Sequence, residues 1–303
     1  MKNLLSKITK KMTSPIAYNI VNVFLDSDIL NRLASSQEIQ SLIKAKYSEF
    51  TNLDSRFLPN IKDTGFRVFS QFEEDGILLF LFSIVGTTNK KIVEICAGDG
   101  KQCMATNLIL NHGWEGLLFD GDKDNVKKGE DFFKSHKDTF LIQPRFVNSW
   151  ITMENINNLI KKNGFEGEID LLSLDIDGND YWIWKAIDCI SPRVLICETH
   201  DIIPSNLSLT MPYDPNFYYW KKPEDEQDFR SASLLAMKKI CNNKGYRLIG
   251  SHRYGFNCIF LRNDTGLKQF PEVSIESCHD NTWTKYGQAK RWAKVKDMNW
   301  IEV

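Results

Sequence analysis

The stretch KIVEICAGDG, residues 91–100, decides how this chain is read. Its first half is a short apolar and β-branched run, the composition of a buried strand. Its second half gathers Ala97, Gly98 and Gly100, residues small enough for the backbone to turn sharply and for a ligand to approach closely. The next apolar run ends at Asp120, about twenty residues beyond Gly100, the spacing at which an acidic side chain meets ribose hydroxyls in a nucleotide-binding βαβ unit. The plainer alternative is that Gly98 and Gly100 only make a tight strand-to-helix turn.

Outward from that turn, residues 61–263 alternate short β-branched runs with helical stretches, the pattern of parallel strands joined by crossover helices. The strand candidates are Lys91–Cys96, Gly116–Asp120, Thr139–Gln143 or the adjacent Arg145–Val147, Asp170–Ile176, Val194–Glu198, Tyr246–Gly250 and Asn257–Arg262. Only Ser251–Phe256 separates the last two, too little for a parallel crossover, so they are expected as antiparallel neighbours. Residues 1–60 carry helical apolar spacing (Ile16, Ile20, Val23, Phe24, then Ile39, Leu42, Ile43) and read as a helical N-terminal extension. The polar tail 264–303, with Trp283, Trp292 and Trp300, reads as helical and packed back on the domain.

The 38 Lys+Arg and 39 Asp+Glu leave a net charge of −1 over 303 residues, so no global basic field exists to hold nucleic acid. No apolar run is long enough for a membrane span. The basic N-terminal stretch is broken by Pro15, Asn19 and Asn22 where a signal peptide would be apolar, which reads as cytoplasmic. Seven scattered cysteines, with Cys96, Cys197 and Cys258 inside apolar runs, read as reduced thiols.

The glycine turn also speaks to the ligand. A dinucleotide fingerprint would carry a third glycine where Cys103 stands, and it brings a pyrophosphate against the turn. Glu94 and Asp99 flank this one, and carboxylates repel a pyrophosphate. They suit a cation bearing an amino group, a ribose and a sulfonium, which describes S-adenosylmethionine. With Ser70-Gln-Phe-Glu-Glu-Asp-Gly76, Glu94–Gly100, Gly113–Asp122, Asp170–Asp180 and Gly255–Arg262 in this order, the chain resembles the FkbM-type S-adenosylmethionine-dependent methyltransferases over about two thirds of its length. It departs from that pattern at Glu74, usually glycine, and at Cys96, usually acidic or aromatic. The resemblance implies a Rossmann-like class I methyltransferase sheet of order 3-2-1-4-5-7-6 with the last strand antiparallel. It also implies that Glu94, Ala97, Gly98 and Gly100 hold the methionine end, that Asp120 binds the ribose, and that Gln71 and Asp75 close over the same ligand.

A second cluster follows the fourth strand. Asp175, Asp177 and Asp180 stand there, and Glu198, His200 and Asp201 stand at the end of the next strand. In an open α/β sheet these strand ends border one crevice. Carboxylates brought together need a proton or a cation, and Mg²⁺ or Mn²⁺ on Asp175, Asp177 and Glu198 is the expected answer, with His200 a ligand or the proton acceptor. Such an ion would hold an acceptor hydroxyl in line with a methyl group. The alternative is that Asp177-Gly178-Asn179 is a turn capping the next helix. The same Asp175-x-Asp177 also resembles the start of haloacid-dehalogenase phosphatases and the metal-binding DxD of nucleotide-sugar glycosyltransferases. The first normally opens its domain, and the second leaves Glu94–Gly100 unexplained.

Tyr213, Phe217, Tyr218, Tyr219 and Trp220, in a Pro-broken loop after the fifth strand, are expected to stack on a sugar-like acceptor or to pack on themselves. Arg253 and Tyr254 are placed beside that acceptor, and His112, His136 and His279 are read as surface or packing residues. The expected activity is O-methylation of a sugar or sugar nucleotide for a surface polysaccharide, by direct displacement, with Asp175, Asp177 and His200 as catalytic residues. The other readings are a glycosyltransferase and a non-catalytic methyltransferase-like binding module. The expected partner is a small-molecule acceptor, and apolar positions on the extension suit either a homodimer contact or an intramolecular cover.

Overall fold

The computed structural model describes residues 37–303. The chain divides into two compact units, Met1–Ala45 and Lys46–Val303. Of the expected helical extension, the part before residue 37 lies outside the described residues, and a helix, α1, spans Gln37–Ser48. The larger unit carries everything that follows.

Seven strands form its main sheet: β1 (Lys91–Ile95), β2 (Glu115–Asp120), β3 (Arg145–Asn148), β4 (Gly167–Leu174), β5 (Ile190–Glu198) and, further along, β7 (Tyr246–Ser251) and β8 (Asn257–Arg262). Their order is β3-β2-β1-β4-β5-β8-β7. The first five are parallel, and β8 runs antiparallel to both β5 and β7. Counted within this sheet, that is 3-2-1-4-5-7-6 with the final strand reversed, the Rossmann-like sheet of class I methyltransferases. The third strand is Arg145–Asn148; the alternative segment begins instead in a 3₁₀ turn at Lys137–Thr139.

Alternation along the strands divides the side chains between two apolar layers. Val93 and Ile95 join Leu117, Phe119, Leu172 and Leu174 on one face, packed against α5 (Ile156–Lys162), α6 (Asp180–Ala186) and α7 (Leu234–Asn243). Ile92, Leu118, Leu171 and Val194 face α2 (Glu74–Val85) and α3 (Met104–His112) on the other. Asp122 caps the remaining crossover helix, α4 (Lys123–Lys134), by accepting from the N–H groups of Asp124 and Asn125.

Register fixes what lies above the sheet. Ile95 is level with Phe119 and Leu174, and Leu174 is level with Cys197. The next position on each strand is therefore Cys96, Asp120, Asp175 or Glu198, a polar row along the carboxyl edge. The long segment after β5 includes β6 (Leu209–Thr210), which pairs with β9 (Ile301–Glu302) near the C-terminus. Between them come α8 (Ile275–His279), α9 (Thr282–Lys290) and α10 (Trp292–Val295). Val295, with Trp292 and Trp300, packs on Ile202, Ile203 and Phe229, so the tail clamps the segment that borders the crevice. No helix of the described residues is long and apolar enough to cross a membrane.

Candidate functional site

The glycine turn is left-handed at three places, Cys96 (φ 73°), Gly98 (φ 57°) and Gly100 (φ 75°). Cys96 and Ala97 donate backbone N–H groups to the Phe119 carbonyl at 2.9 and 2.8 Å, which ties the turn to β2. Gly98 donates to Asp120 Oδ2 at 2.8 Å, while Asp120 Oδ1 accepts from Asp122 N at 2.8 Å and Asn125 Nδ2 at 3.4 Å. Both Asp120 oxygens are thus held rigidly. A Cβ on Gly98 would meet nothing within 4 Å, so the turn presents open space on that side.

Beside it lies a cavity of about 450 Å³, within the range of small-molecule sites. Its wall runs from Ile95 and Cys96 through Asp120–Asp122 and Asn125 to Ile176 and Asp177, across the ends of β1, β2 and β4. Phe217, Tyr218, Tyr219 and Trp220 line the same cavity together with Trp150. Trp150 Nε1 donates to the Pro215 carbonyl at 2.7 Å and its ring stands edge-on to Tyr218, while Asn179 Nδ2 donates to the Asp214 carbonyl at 2.8 Å. The aromatic loop, expected around an acceptor, therefore also covers the space beside Asp120.

Several expected ligand residues support this cavity without lining it. Glu94 faces the α2–α3 layer by strand alternation, and its carboxylate accepts from Met104 N at 3.0 Å, Ala105 N at 2.6 Å and Cys103 Sγ at 3.1 Å. Helix α3 lacks a side-chain cap of its own at Cys103, so Glu94 satisfies its first N–H groups. Burial pushes the Glu94 carboxyl up to about 7, against the pull of those hydrogen bonds. Asp75 is similar: Oδ2 accepts from Val68, Phe69 and Ser70 N–H groups at 2.7 Å each and from Ser70 Oγ at 2.9 Å. Burial raises it to about 6. Gln71 is exposed, and Asp99 pairs with Lys101 Nζ at 3.5 Å. The expectation that Glu94 and Asp75 reach the ligand is thereby corrected: neither lines the cavity, Glu94 being bonded to the start of α3 and Asp75 Oδ2 to the loop before α2, with Asp75 Oδ1 buried and without a hydrogen-bond partner.

Next to the cavity, whose wall includes Asp177 but neither Asp175 nor Glu198, these three acids bring one oxygen each within 4.8 Å of one another. Asp180 is not a fourth member. Fully buried, it accepts from Ile176 N at 2.9 Å and Gly178 N at 3.1 Å, so it ties the Asp177-Gly178-Asn179 turn while that turn presents Asp177. Asp177 itself is left-handed, at φ 55°. Burial raises Asp175 to about 6 and Asp180 to about 7, and it lifts Glu198 well above the carboxylate range, with Asp175 adding to the rise. Two neighbouring carboxyls in that condition share a proton readily.

His200 stands apart from the three. Past the last β5–β8 pair, Glu198 opposite Asn257, the chain turns, and His200 donates its backbone N–H to the Ala232 carbonyl. Its Nε2 lies 2.7 Å from the Asp228 carbonyl, and burial lowers its pKa to about 4. The expectation of His200 as ligand or base is corrected by that turn.

Three residues of this region carry no mark in the sequence: Asn125, Trp150 and Arg230. The Arg230 guanidinium forms an ion pair with Asp177 and lies 3.9 Å from Glu198 Oε1. None of the seven cysteines is in a disulfide, and Cys96 alone among them is exposed.

No protein-family model matches the sequence, and no curated protein matches it. Among solved structures, the chain is similar to an S-adenosylmethionine-dependent methyltransferase from Clostridium acetobutylicum at 11% identity, covering 58% of this chain and 84% of that one with a TM-score of 0.36. It is similar to the CcbJ methyltransferase from Streptomyces caelestis at 10% identity, with 58% and 90% covered and a TM-score of 0.37. A S-adenosylmethionine-dependent methyltransferase from Aquifex aeolicus aligns at 10% identity over 58% and 83%, with a TM-score of 0.35. Likeness at this level says nothing of the chemistry of this chain.

Proposed function

We propose that this chain is an FkbM-type S-adenosylmethionine-dependent O-methyltransferase acting on a hydroxyl of a sugar or sugar nucleotide, in the building of a surface polysaccharide. The observation that carries the reading is one cavity lined both by a rigidly held ribose-type acid, Asp120, and by Asp177, the member of the Asp175, Asp177 and Glu198 group that reaches its wall.

The donor fits the residues present. Asp120, pinned through Gly98 N and Asp122 N at the end of β2, is the acid read as the partner of the ribose hydroxyls, and its fixed position supports that reading. Open space beside Gly98 admits the methionine portion, and the acidic surroundings favour a cation over a pyrophosphate. Phe217–Trp220 and Trp150 supply flat apolar faces for an adenine. S-adenosylmethionine when bound supplies an electrophilic methyl group on a sulfonium. On the acceptor side, Asp175, whose carboxyl burial keeps near pH 6, takes the proton of the attacking hydroxyl, and Asp177 orients that hydroxyl.

The fit for a divalent metal is poorer. Three carboxylates have the donor type a hard cation takes, but the Arg230 guanidinium already stands on Asp177 and Glu198. No step is assigned to a metal.

Calorimetric titration with S-adenosylmethionine, followed by an assay over a panel of sugar nucleotides, tests the reading. Binding and methylated product are expected. A protein that binds a sugar nucleotide but ignores S-adenosylmethionine is a glycosyltransferase, and one that binds S-adenosylmethionine without product on any acceptor is a binding module.

A further inference from the structure

The acid group over β4 and β5 demands a counter-charge, and the fold contains one. Arg230 lies in the segment between β6 and α7, where the residues next to it are fastened to other parts of the chain. Ser231, the next residue, is left-handed at φ 55° and its carbonyl accepts from Met211 N at 3.1 Å. Ser231 Oγ reaches Asp180 Oδ2 at 3.4 Å, and the Ala232 carbonyl accepts from His200 N at 2.7 Å. So anchored, the Arg230 side chain is only 17% exposed and points into the acids. One Nη pairs with Asp177 and the other lies 3.9 Å from Glu198 Oε1. Its guanidinium carbon stands 4.5 Å from the centre of the Tyr219 ring, on the loop that covers the donor cavity.

We propose that Arg230 is the resident cation of this site, held where a divalent metal would otherwise sit, and that it makes the enzyme independent of metal. The inference deepens the methyl-transfer reading above and names how its acceptor end is charged. A guanidinium stays charged at every working pH, and here it is hydrogen-bonded to Asp177 while its charge lies close to Glu198. A divalent ion seeking the same Asp177 and Glu198 oxygens at bonding distance meets that fixed positive charge within a few ångströms and has to expel it. Arg230 also acts on Asp175, whose carboxyl its charge pulls down against burial, so one guanidinium answers all three acids. Arg230 is thus a positioning residue. Through Tyr219 it also touches the wall of the donor space, so the two halves of the site share one side chain.

The test uses Mn²⁺ alone as probe, with the full chain and the electron paramagnetic resonance signal of free Mn²⁺ as readout. Wild type is expected to leave that signal unchanged up to about 1 mM Mn²⁺. Arg230→Ala is expected to gain one bound Mn²⁺ with affinity raised roughly tenfold or more, and adding Asp177→Asn removes the gain. Arg230→Lys, which keeps the charge, gains none. One Mn²⁺ bound by wild type and lost in Asp177→Asn overturns the proposal, and this measurement needs no Arg230 variant to fold. A correctly folded Arg230→Ala that binds no Mn²⁺ overturns it as well. Because no methyl transfer enters the readout, a failure of the S-adenosylmethionine titration sinks the proposed function while leaving the resident cation standing.

Discussion

Gly178 gives the most direct test of how the aromatic loop is seated. A Cβ built on it would stand 2.4 Å from Phe217 Cδ1, 2.6 Å from Cε1 and 3.5 Å from Met211 Sδ. Carbon atoms in ordinary contact lie about 3.5–4.0 Å apart, so Gly178→Ala forces the Phe217 ring back by roughly 1 Å. Gly178 is not in the left-handed region, so the substitution acts through space and not through backbone strain. Phe217 is buried, and neighbouring Asn179 holds the loop through Asp214, so the ring has little room to retreat. Overpacking of this kind costs about 1–3 kcal/mol, which in a chain of this size lowers the melting temperature by about 2–12 °C. Displacing Phe217 also shifts Tyr218 and Tyr219 in the cavity wall. Affinity for S-adenosylmethionine is expected to fall by roughly tenfold, about 1.4 kcal/mol. Differential scanning calorimetry and isothermal titration read the two effects, and Gly178→Ala combined with Phe217→Leu is expected to recover much of both. A single variant with wild-type melting and wild-type donor affinity would refute the reasoning, because the loop would then not rest on the Asp177–Asn179 turn.

Asp120→Ala removes the acceptor for Gly98 N and the proposed ribose partner together, and is expected to weaken donor binding by about 10–100-fold. Equal titration curves for variant and wild type would remove Asp120 from the donor site. Asp170 is fully buried and accepts from Thr88, Asn89 and Lys90 N–H groups and from Arg193 Nη1 at 2.9 Å. Burial alone would raise its pKa, but Arg193 and the three N–H groups hold it below the usual value. Its contribution is therefore complete above the unfolded carboxyl range and lost as pH falls through the lower folded value. Asp170→Asn is expected to cost about 3–5 kcal/mol at neutral pH and less at acid pH, which denaturant titrations at several pH values will show. His200 and His279, lowered to about 4, and His252, lowered to about 3, are buried as neutral rings. Stability from them is full above their unfolded pKa and is lost as pH falls through those values. Buried acids run the other way: Glu94 and Asp180, raised to about 7, favour the folded state at low pH and lose that contribution as pH rises through 7. Turnover is expected to rise with pH through about 6 as Asp175 gives up its proton, and a pH–rate profile flat across that value would remove Asp175 as the base.

Much of the sheet was legible because its signals are local. Alternating and apolar runs mark strands wherever they lie, and the six residues Ser251–Phe256 cannot cross a sheet, so the reversal of β8 follows from chain length alone. The acids above β4 and β5 were legible for a related reason: in-register parallel strands put the residues after Leu174 and Cys197 side by side. Asp177-Gly178-Asn179 is a turn held by Asp180 from which Asp177 joins the acid group, and Asn179 makes no side-chain cap for the next helix but donates to the Asp214 carbonyl.

Other features depend on partners far away in the chain. Glu94 faces α3 because strand alternation sends it to that layer, where Cys103 leaves the helix uncapped. His200 is drawn under the returning loop by Ala232 and Asp228, and nothing in the local sequence records that turn. Arg230 reaches Asp177 and Glu198 from a segment held by Met211, His200 and Asp180, with the C-terminal tail packed against Phe229 beside it. The strand menu, the glycine turn and the acids were thus written in short-range pattern, which each residue's neighbours set. The charge that answers those acids was decided by tertiary structure, because it comes from a loop fastened to Met211, His200 and Asp180, on other elements of the chain.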